Sequence, residues 1–250
     1  MRKFGLIGYP LGHSFSKIYF TEKFIKEQIS DCSYDNYPLT NLDQLPDLIT
    51  SDLYLCGLNV TIPYKSEVIK YVDIIDIEAA QIGAVNVLKI KRLKGQFKLY
   101  GYNSDLTGIR DTLAPFINDK VTNALILGTG GSSRAVNFVL KSFGVSVTLV
   151  SRTRRPGVIS YIDIDSGIMK ETGLIVNTTP LGMFPDTKGK PDIDYNLLNT
   201  KHILFDLVYN PEITTFLRLG KERGCTIITG LKMLHSQAEK AWEIWNDDTI

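Results

Sequence analysis

The sequence predicts an α/β protein built as two domains, on three observations. Apolar runs of strand length alternate with amphipathic runs from end to end, the pattern of helices packed on a mostly parallel sheet. A unit of strand, glycine loop, helix and strand, of the expected length of about 30 residues, begins only at "NALILGTGG", halfway along the chain. The 250 residues, 44% hydrophobic and 22% charged, suffice for two medium-sized domains. The boundaries fall at 1–105 together with 229–250 for the first domain, and at 106–228 for the second.

In order, "KFGLIGYP" reads as a strand ending at Gly8 and Pro10. "SKIYFTEKFIKEQI" reads as a helix with Phe20, Phe24 and Ile25 on one face. "SYDNYPL" is a second strand, "NLDQLPDLITS" a short helix interrupted by Pro46, and "LCGLNVTIP" a third strand stopped by Pro63. "AAQIGAVNVLKIKR" and "QFKLYGYNSD" read as two late strands around a turn at Lys94 and Gly95. From Asp105 the helix "DLTGIRDTLAPF" leads into the second domain. There "NALILG" is a buried strand, "SSRAVNFVLKSFG" a helix closed by Gly144, and "SVTLVSR" the next strand. "GLIVNTT" and "HILFDLVY" are further strands, and "TTFLRLGKERG" is a helix with Gly224 just past its end. The last helix, "LKMLHSQAEKAWEIW", aligns Leu231, Leu234, Ala238, Ala241, Trp242 and Trp245 on one stripe.

Composition narrows the function classes. With 28 basic against 27 acidic residues, a net charge of +1 and no long block of one sign, bulk attraction to nucleic acid or to a membrane is not expected. Cys32, Cys56 and Cys225 form no CxxC pair, and His13, His202 and His235 have no metal-ligand spacing, so no metal site is expected. The first ten residues hold too short an apolar run for a signal peptide, and no run reaches the roughly 18 residues of a spanning helix. The cytoplasm is the expected location.

Five stretches carry candidate chemistry. In "LGTGGSSRA", Gly128 permits a tight turn and Gly130 lets backbone N–H groups approach a pyrophosphate at the helix start, with Ser133 in the third glycine position. The same pattern also serves a purely structural turn. The following strand ends in "SRTRR" with no acid to hold the ribose hydroxyls of NAD. Arginine there suits a 2′-phosphate through its planar charged fork, so NADP is the expected cofactor. "GHSFS" puts Ser14 and Ser16 before a helix, as caps or as ligands for a carboxylate or polyhydroxy compound. "GLNVTIPYK" sets Asn59 and Thr61 on one strand face with Lys65 shortly after, a residue that alone reads as a surface charge. "GYNSDLTG" puts Asp105 at the mouth of a helix, as a cap or a ligand.

These stretches together, with "IGAVNV", "NTTPLGM", "DLVYNP" and "GLKMLHSQA", resemble the shikimate dehydrogenase family over nearly the whole chain. The resemblance implies two α/β domains, an N-terminal substrate-binding domain and a Rossmann-like NADP-binding domain. It implies reduction of 3-dehydroshikimate to shikimate by NADPH, on the route to the aromatic amino acids, by a monomer or homodimer. Lys65 would be proton donor or fixed cation, with Asp105 beside it. Ser14 and Ser16 would bind the substrate carboxylate; Thr61, Asn86 and Gln237 would hold ring hydroxyls, and Tyr209 would close over the substrate. Gly128, Thr129, Gly130, Gly131 and Ser132 would hold the pyrophosphate, and Ser151, Arg152 and Thr153 the adenosine phosphate. Leu207 and Gly230 would approach the nicotinamide.

Some positions depart from the family pattern: Lys17 for proline, Val87 and Ser104 for threonine, Ser151 and Thr229 for asparagine. The larger departure is a gap. Only 21 residues, Thr153 to Gly173, separate "SR" from "LIVNTT", which predicts a shortened crossover after the second strand of the nucleotide domain. Two other readings stay open: a quinate/shikimate dehydrogenase using NAD, and a non-catalytic nucleotide-sensing module on the same fold.

Overall fold

The computed structural model describes residues 1–11, 15–93, 95–119, 121–247 and 249. Among them, the chain divides into two compact units, Met1–Ser104 with Ala238–Ile250, and Asp105–Gln237. No helix among the described residues is long and apolar enough to cross a membrane.

The first unit contains β1 (Arg2–Gly8), α1 (Phe15–Lys26), β2 (Cys32–Pro38), α2 (Leu45–Ser51), β3 (Leu55–Val60), β4 (Ile74–Ile75), α3 (Ile77–Ile82), β5 (Val87–Leu93) and β6 (Gln96–Tyr102). Its sheet order is β2-β1-β3-β5-β6-β4. β1 runs parallel to β2 and β3, whereas β3, β5 and β6 pair antiparallel. This sheet is therefore mixed rather than mostly parallel, because β5 returns directly into β6 through a hairpin with Gly95 at φ +81°.

Alternation along the strands sends side chains to two apolar layers. One layer holds Ile7, Leu42, Ile49, Leu58 and Leu88, and the other holds Phe4, Phe20, Tyr34, Val87 and Trp245. Phe20 and Phe24 are buried, but Ile25 is 75% exposed. Ile25 lies well over 100° round the helix from Phe20, off the stripe expected of it. "AAQIG" forms α3 rather than the start of a strand. Asp76 caps it by accepting from the N–H groups of Glu78 and Ala79 at 3.0 and 3.2 Å, and Gly83 closes it at φ +62°. Pro46 does not interrupt its helix. It sits in the first turn of α2, where the missing N–H costs nothing.

The second unit contains α4 (Asp105–Leu113), β7 (Asn123–Leu127), α5 (Gly131–Ser142), β8 (Ser146–Ser151), β9 (Val158–Ser160), α6 (Ser166–Glu171), β10 (Leu174–Asn177), β11 (Ile203–Asp206), α7 (Thr215–Glu222), β12 (Thr226–Ile228) and the first half of α8 (Leu231–Asn246). Its sheet, β12-β11-β10-β7-β8-β9, is parallel throughout. Leu125, Val150, Ile175, Leu204 and Phe216 lie in its core. Residues 152–157 alone join β8 to β9, where a parallel crossover ordinarily takes about a dozen residues or more. A short 3₁₀ turn, Tyr161–Asp163, and the six-residue α6 complete the connection to β10. The crossover after the second strand is thus short and has no full helix. The three-residue strand β12 was not expected from the sequence, whereas β9 falls in a stretch that reads as extended.

The two compact units divide the helix α8 at Ala238. Gly108 of α4 explains the first half: a Cβ there would lie 2.6 Å from Met233 O and 3.3 Å from Gln237 Cβ, so α4 packs directly against this stretch. The second half carries Trp245, which stacks on Phe4 at 4.8 Å, donates from Nε1 to Leu88 O at 3.0 Å and fills the space left by Gly57. Trp245→Ala is expected to lower stability by about 3–5 kcal/mol. A fall in the urea midpoint at unchanged slope would show it, and an unmoved midpoint would contradict this account of the packing.

Candidate active site

In the first unit, the turn after β3 places Thr61 and Lys65. Thr61 donates its N–H to Ile7 O at 3.0 Å, Tyr64 N–H closes onto Thr61 O at 2.9 Å, and Lys65 O accepts from Val85 N–H at 2.7 Å. Val60 N–H reaches Asn86 O at 2.9 Å, which brings the two stretches together at Asn86. The Asn86 side chain is buried. Its Oδ1 accepts from Ser104 N–H at 2.7 Å, and its Nδ2 donates to Ser104 Oγ at 3.1 Å. Asn86 thereby anchors the residue that precedes Asp105, itself buried at the start of α4.

A buried relay, not anticipated from sequence, ties Ser16 to this cluster. Ser16 hydrogen-bonds the Tyr34 hydroxyl, which donates to Asn59 Oδ1 at 2.8 Å, while Asn59 Nδ2 donates to Asn86 O at 3.4 Å. Burial pushes the Tyr34 pKa up, so the phenol stays protonated and keeps donating. Asn59 therefore turns inward as scaffold. Ser16 and Asn86 are joined by this relay, and Thr61 and Lys65 follow in the turn after Val60, whose N–H also meets Asn86 O; Ser14 lies outside the described residues.

In the second unit, the candidate residues gather at the carboxyl edge of the parallel sheet, where open α/β sheets bind ligands. Gly128 follows β7 at φ +116°, and a Cβ there would sit 2.6 Å from Thr178 Oγ1. Gly130 starts α5 with no side-chain cap, and a Cβ on it would meet nothing within 4 Å. The first turn of a twelve-residue helix is thus open to an anion, favoured by its N–H groups and dipole. Ser133 is buried, small enough for the interface that the third glycine position occupies.

The three arginines after β8 have different partners. Arg154 is paired with Asp163, which holds that carboxyl down to about pKa 2. Arg155 donates to Thr129 Oγ1 at 2.7 Å, bridging the basic turn to the glycine loop. Arg152 has no ion pair among the described residues, and it lines a cavity of about 360 Å³ with Ser160, Tyr161, Lys190 and Asp192. Ser151 Oγ bonds Thr153 O at 2.6 Å and Thr153 N–H at 3.2 Å, so it shapes the turn. Lys190 and Asp192 carried no sequence signal, because they come from an irregular segment far along the chain. An acid does line this cavity, although none ends the strand.

At the next strand ends, Leu207 and Gly230 are in close contact: a Cβ on Gly230 would lie 2.6 Å from Leu207 O. Tyr209 is half-buried, which raises its pKa. Gln237 donates Nε2 to Leu234 O at 3.1 Å within its own helix. Burial pushes the pKa of Asp206, at the end of β11, up to about 6 despite hydrogen bonds from Thr214, Val208 and Asn177. An unfolded aspartate titrates near 3.9, so between about pH 4 and 6 the folded chain holds a proton that the unfolded chain has released. Stability should therefore fall as pH rises through that window, by on the order of 2–3 kcal/mol. Asp206→Asn should remove this slope from denaturant midpoints taken between pH 4 and 7. An identical slope in the variant would show that Asp206 is not its source.

Among the described residues, no group of three or more His, Cys, Asp or Glu side chains could hold a metal ion. Fold and site define a two-unit α/β protein whose second unit is of the Rossmann-like dinucleotide-binding class. Residues 6–88 match the family model for the shikimate dehydrogenase substrate binding domain. The shikimate dehydrogenase (NADP(+)) of Methanococcus aeolicus is 36% identical, over 96% of this chain and 90% of that one. The chain belongs to the shikimate dehydrogenase family. The shikimate dehydrogenase (NADP(+)) of Clostridium beijerinckii is 37% identical, over 99% of this chain and 93% of that one. The shikimate 5-dehydrogenase of Thermus thermophilus, solved with NADP(H) and shikimate, has a TM-score of 0.84 at 30% identity, covering 98% of this chain and 94% of that one.

Proposed function

We propose that the protein is an NADP-dependent shikimate dehydrogenase, reducing 3-dehydroshikimate reversibly to shikimate. The observation that carries this reading is that the Ser16–Tyr34–Asn59 relay and Val60 N–H both end on Asn86 O, which sets a hydroxyl and a buried amide residue beside the strand that leads to Thr61 and Lys65, as suits a small polyhydroxy acid. The open start of α5 and Arg152, with no ion pair among the described residues, suit a phosphorylated dinucleotide.

The cofactor supplies the hydride. The chain's own residues bind and orient the substrate and move one proton. Ser14 and Ser16 take the carboxylate. Thr61, Asn86 and Gln237 take ring hydroxyls, and Tyr209 covers the ring. Lys65 Nζ gives a proton to the carbonyl oxygen as that oxygen gains charge, and Asp105 orients Lys65 and holds the neighbouring hydroxyl. Gly128 to Ser132 hold the pyrophosphate, and Arg152 with Ser151 and Thr153 the adenosine phosphate. Leu207 and Gly230 present backbone and apolar surface to the nicotinamide. The three cysteines are free, as suits a reducing compartment, and we place the protein in the cytoplasm.

Steady-state assays with shikimate and quinate, each with NADP and NAD, test the reading. Turnover of shikimate with NADP is expected to dominate. Turnover with NAD but not NADP would overturn the cofactor, a preference for quinate would overturn the substrate, and no turnover in any combination would overturn the enzyme.

A further inference from the structure

Asp206 has no part in the chemistry above, yet it is completely buried at the binding edge of the nucleotide sheet. Its Oδ1 accepts from Asn177 Nδ2 and from Val208 N–H, both at 3.0 Å, and its Oδ2 accepts from Thr214 Oγ1 at 2.6 Å. The donors come from three different segments. Asn177 ends β10 and orders the next turn, accepting from Thr179 N–H at 3.0 Å and Thr179 Oγ1 at 2.7 Å. Thr214 caps α7, accepting from Leu217 N–H at 3.3 Å. Val208 lies in the loop between Leu207 and Tyr209. Gly230 meets the same loop closely: its absent Cβ would lie 2.6 Å from Leu207 O and 2.9 Å from Val208 O. The backbone at 207–208 is thus bonded to Asp206 and packed tightly on Gly230, without room for a methyl group.

A buried carboxylate is costly unless its oxygens are satisfied, and an apolar side chain of similar size would serve stability at least as well. What a carboxylate supplies that an apolar residue does not is two oxygens able to take three donors at once. We infer that Asp206 is a positioning residue, which through these three hydrogen bonds holds the 207–209 loop and so aims Leu207 and Tyr209. Its effect on turnover rests on the proposed function, in which those two residues meet the nicotinamide and the substrate. An asparagine can replace it in part, because its Oδ1 can accept from Asn177 and Val208 while its Nδ2 donates to Thr214 Oγ1.

The test compares Asp206→Ala, Asp206→Asn and a stability control, Leu198→Ala, in the core of the same unit. For Asp206→Ala, the Kd for NADPH, titrated by fluorescence, should stay within about threefold, while kcat for shikimate falls about tenfold or more. Amide exchange at 207–209 should accelerate. Asp206→Asn should recover kcat to within about threefold of the parent, and Leu198→Ala should keep kcat per folded molecule. An unchanged kcat in Asp206→Ala overturns the inference, as does unchanged exchange at 207–209. An equal kcat loss in Leu198→Ala also overturns it, as does no recovery with asparagine. If Asp206→Ala does not fold, Thr214→Val removes the donor to Oδ2, and unchanged exchange at 207–209 in that variant is equally fatal. Exchange and NADPH binding are read without turnover. A parent protein that binds NADPH but does not oxidise shikimate defeats the proposed function, and the exchange data still judge Asp206.

Discussion

Replacing Lys65 by methionine is expected to lower kcat for shikimate oxidation by about a thousandfold, with the Kd for NADP within about twofold of the parent. Methionine keeps most of the apolar stem and loses only the ammonium, and Lys65 is half-buried rather than a core side chain, so the fold should survive. The size follows from what one group can supply. A positioned general acid contributes about 10²–10⁴ and a charge on a developing oxyanion about 10²–10³. Lys65→Arg separates the two roles, because arginine keeps the charge but does not release its proton near neutrality. Arginine activity within about tenfold of the parent assigns Lys65 as a fixed cation; activity as low as methionine's assigns proton transfer. Near-normal turnover in Lys65→Met would remove Lys65 from the chemistry altogether.

Much of the fold is legible in the sequence where a local rule acts alone. Gly128, Gly144 and Gly224 all adopt positive φ, the conformation that marks turns and helix ends without reference to tertiary structure. The shortened crossover is legible from its residues: the 21 between the two strands include Pro156 and Gly157 and carry no long amphipathic run. The misreadings occur where neighbours decide. The three residues of β12 are a strand only because β11 lies beside them. The stretch at 77–83 carried its own signals, Asp76 before and Gly83 after, but the apolar run following it suggested one long strand.

The candidate site divides the same way. Motifs nominate Ser16, Thr61, Lys65 and Asn86, but the relay through Tyr34 depends on β1 pairing with both β2 and β3, which no local pattern encodes. Asn59 and Thr61 share a strand face by periodicity, yet only the packed neighbours show that Asn59 is spent on Tyr34 and Asn86. The Asp206 network is hidden for the same reason, since its three donors are up to 29 residues away in sequence.

Arg152→Ala is expected to raise KM for NADP by about 30–100-fold and to change KM for NAD by less than about threefold. The sequence presents three arginines after β8 as equal candidates for a 2′-phosphate. The structure separates them, because Arg154 is engaged by Asp163 and Arg155 by Thr129, while Arg152 lines the cavity beside Lys190. A charge-assisted pair with a phosphate is worth about 2–3 kcal/mol, which sets the size of the loss. Arg154→Ala should cost much less, since its charge is already balanced by Asp163. Asp192 lines the same cavity with the opposite sign, so Asp192→Asn should shift the NADP-to-NAD ratio of kcat/KM towards NADP. With the full crossover helix absent, this cavity depends on few side chains, and removing one charge should be felt strongly. Parallel rises in KM for NADP and NAD in Arg152→Ala would mean that Arg152 supports the wall rather than reads the phosphate.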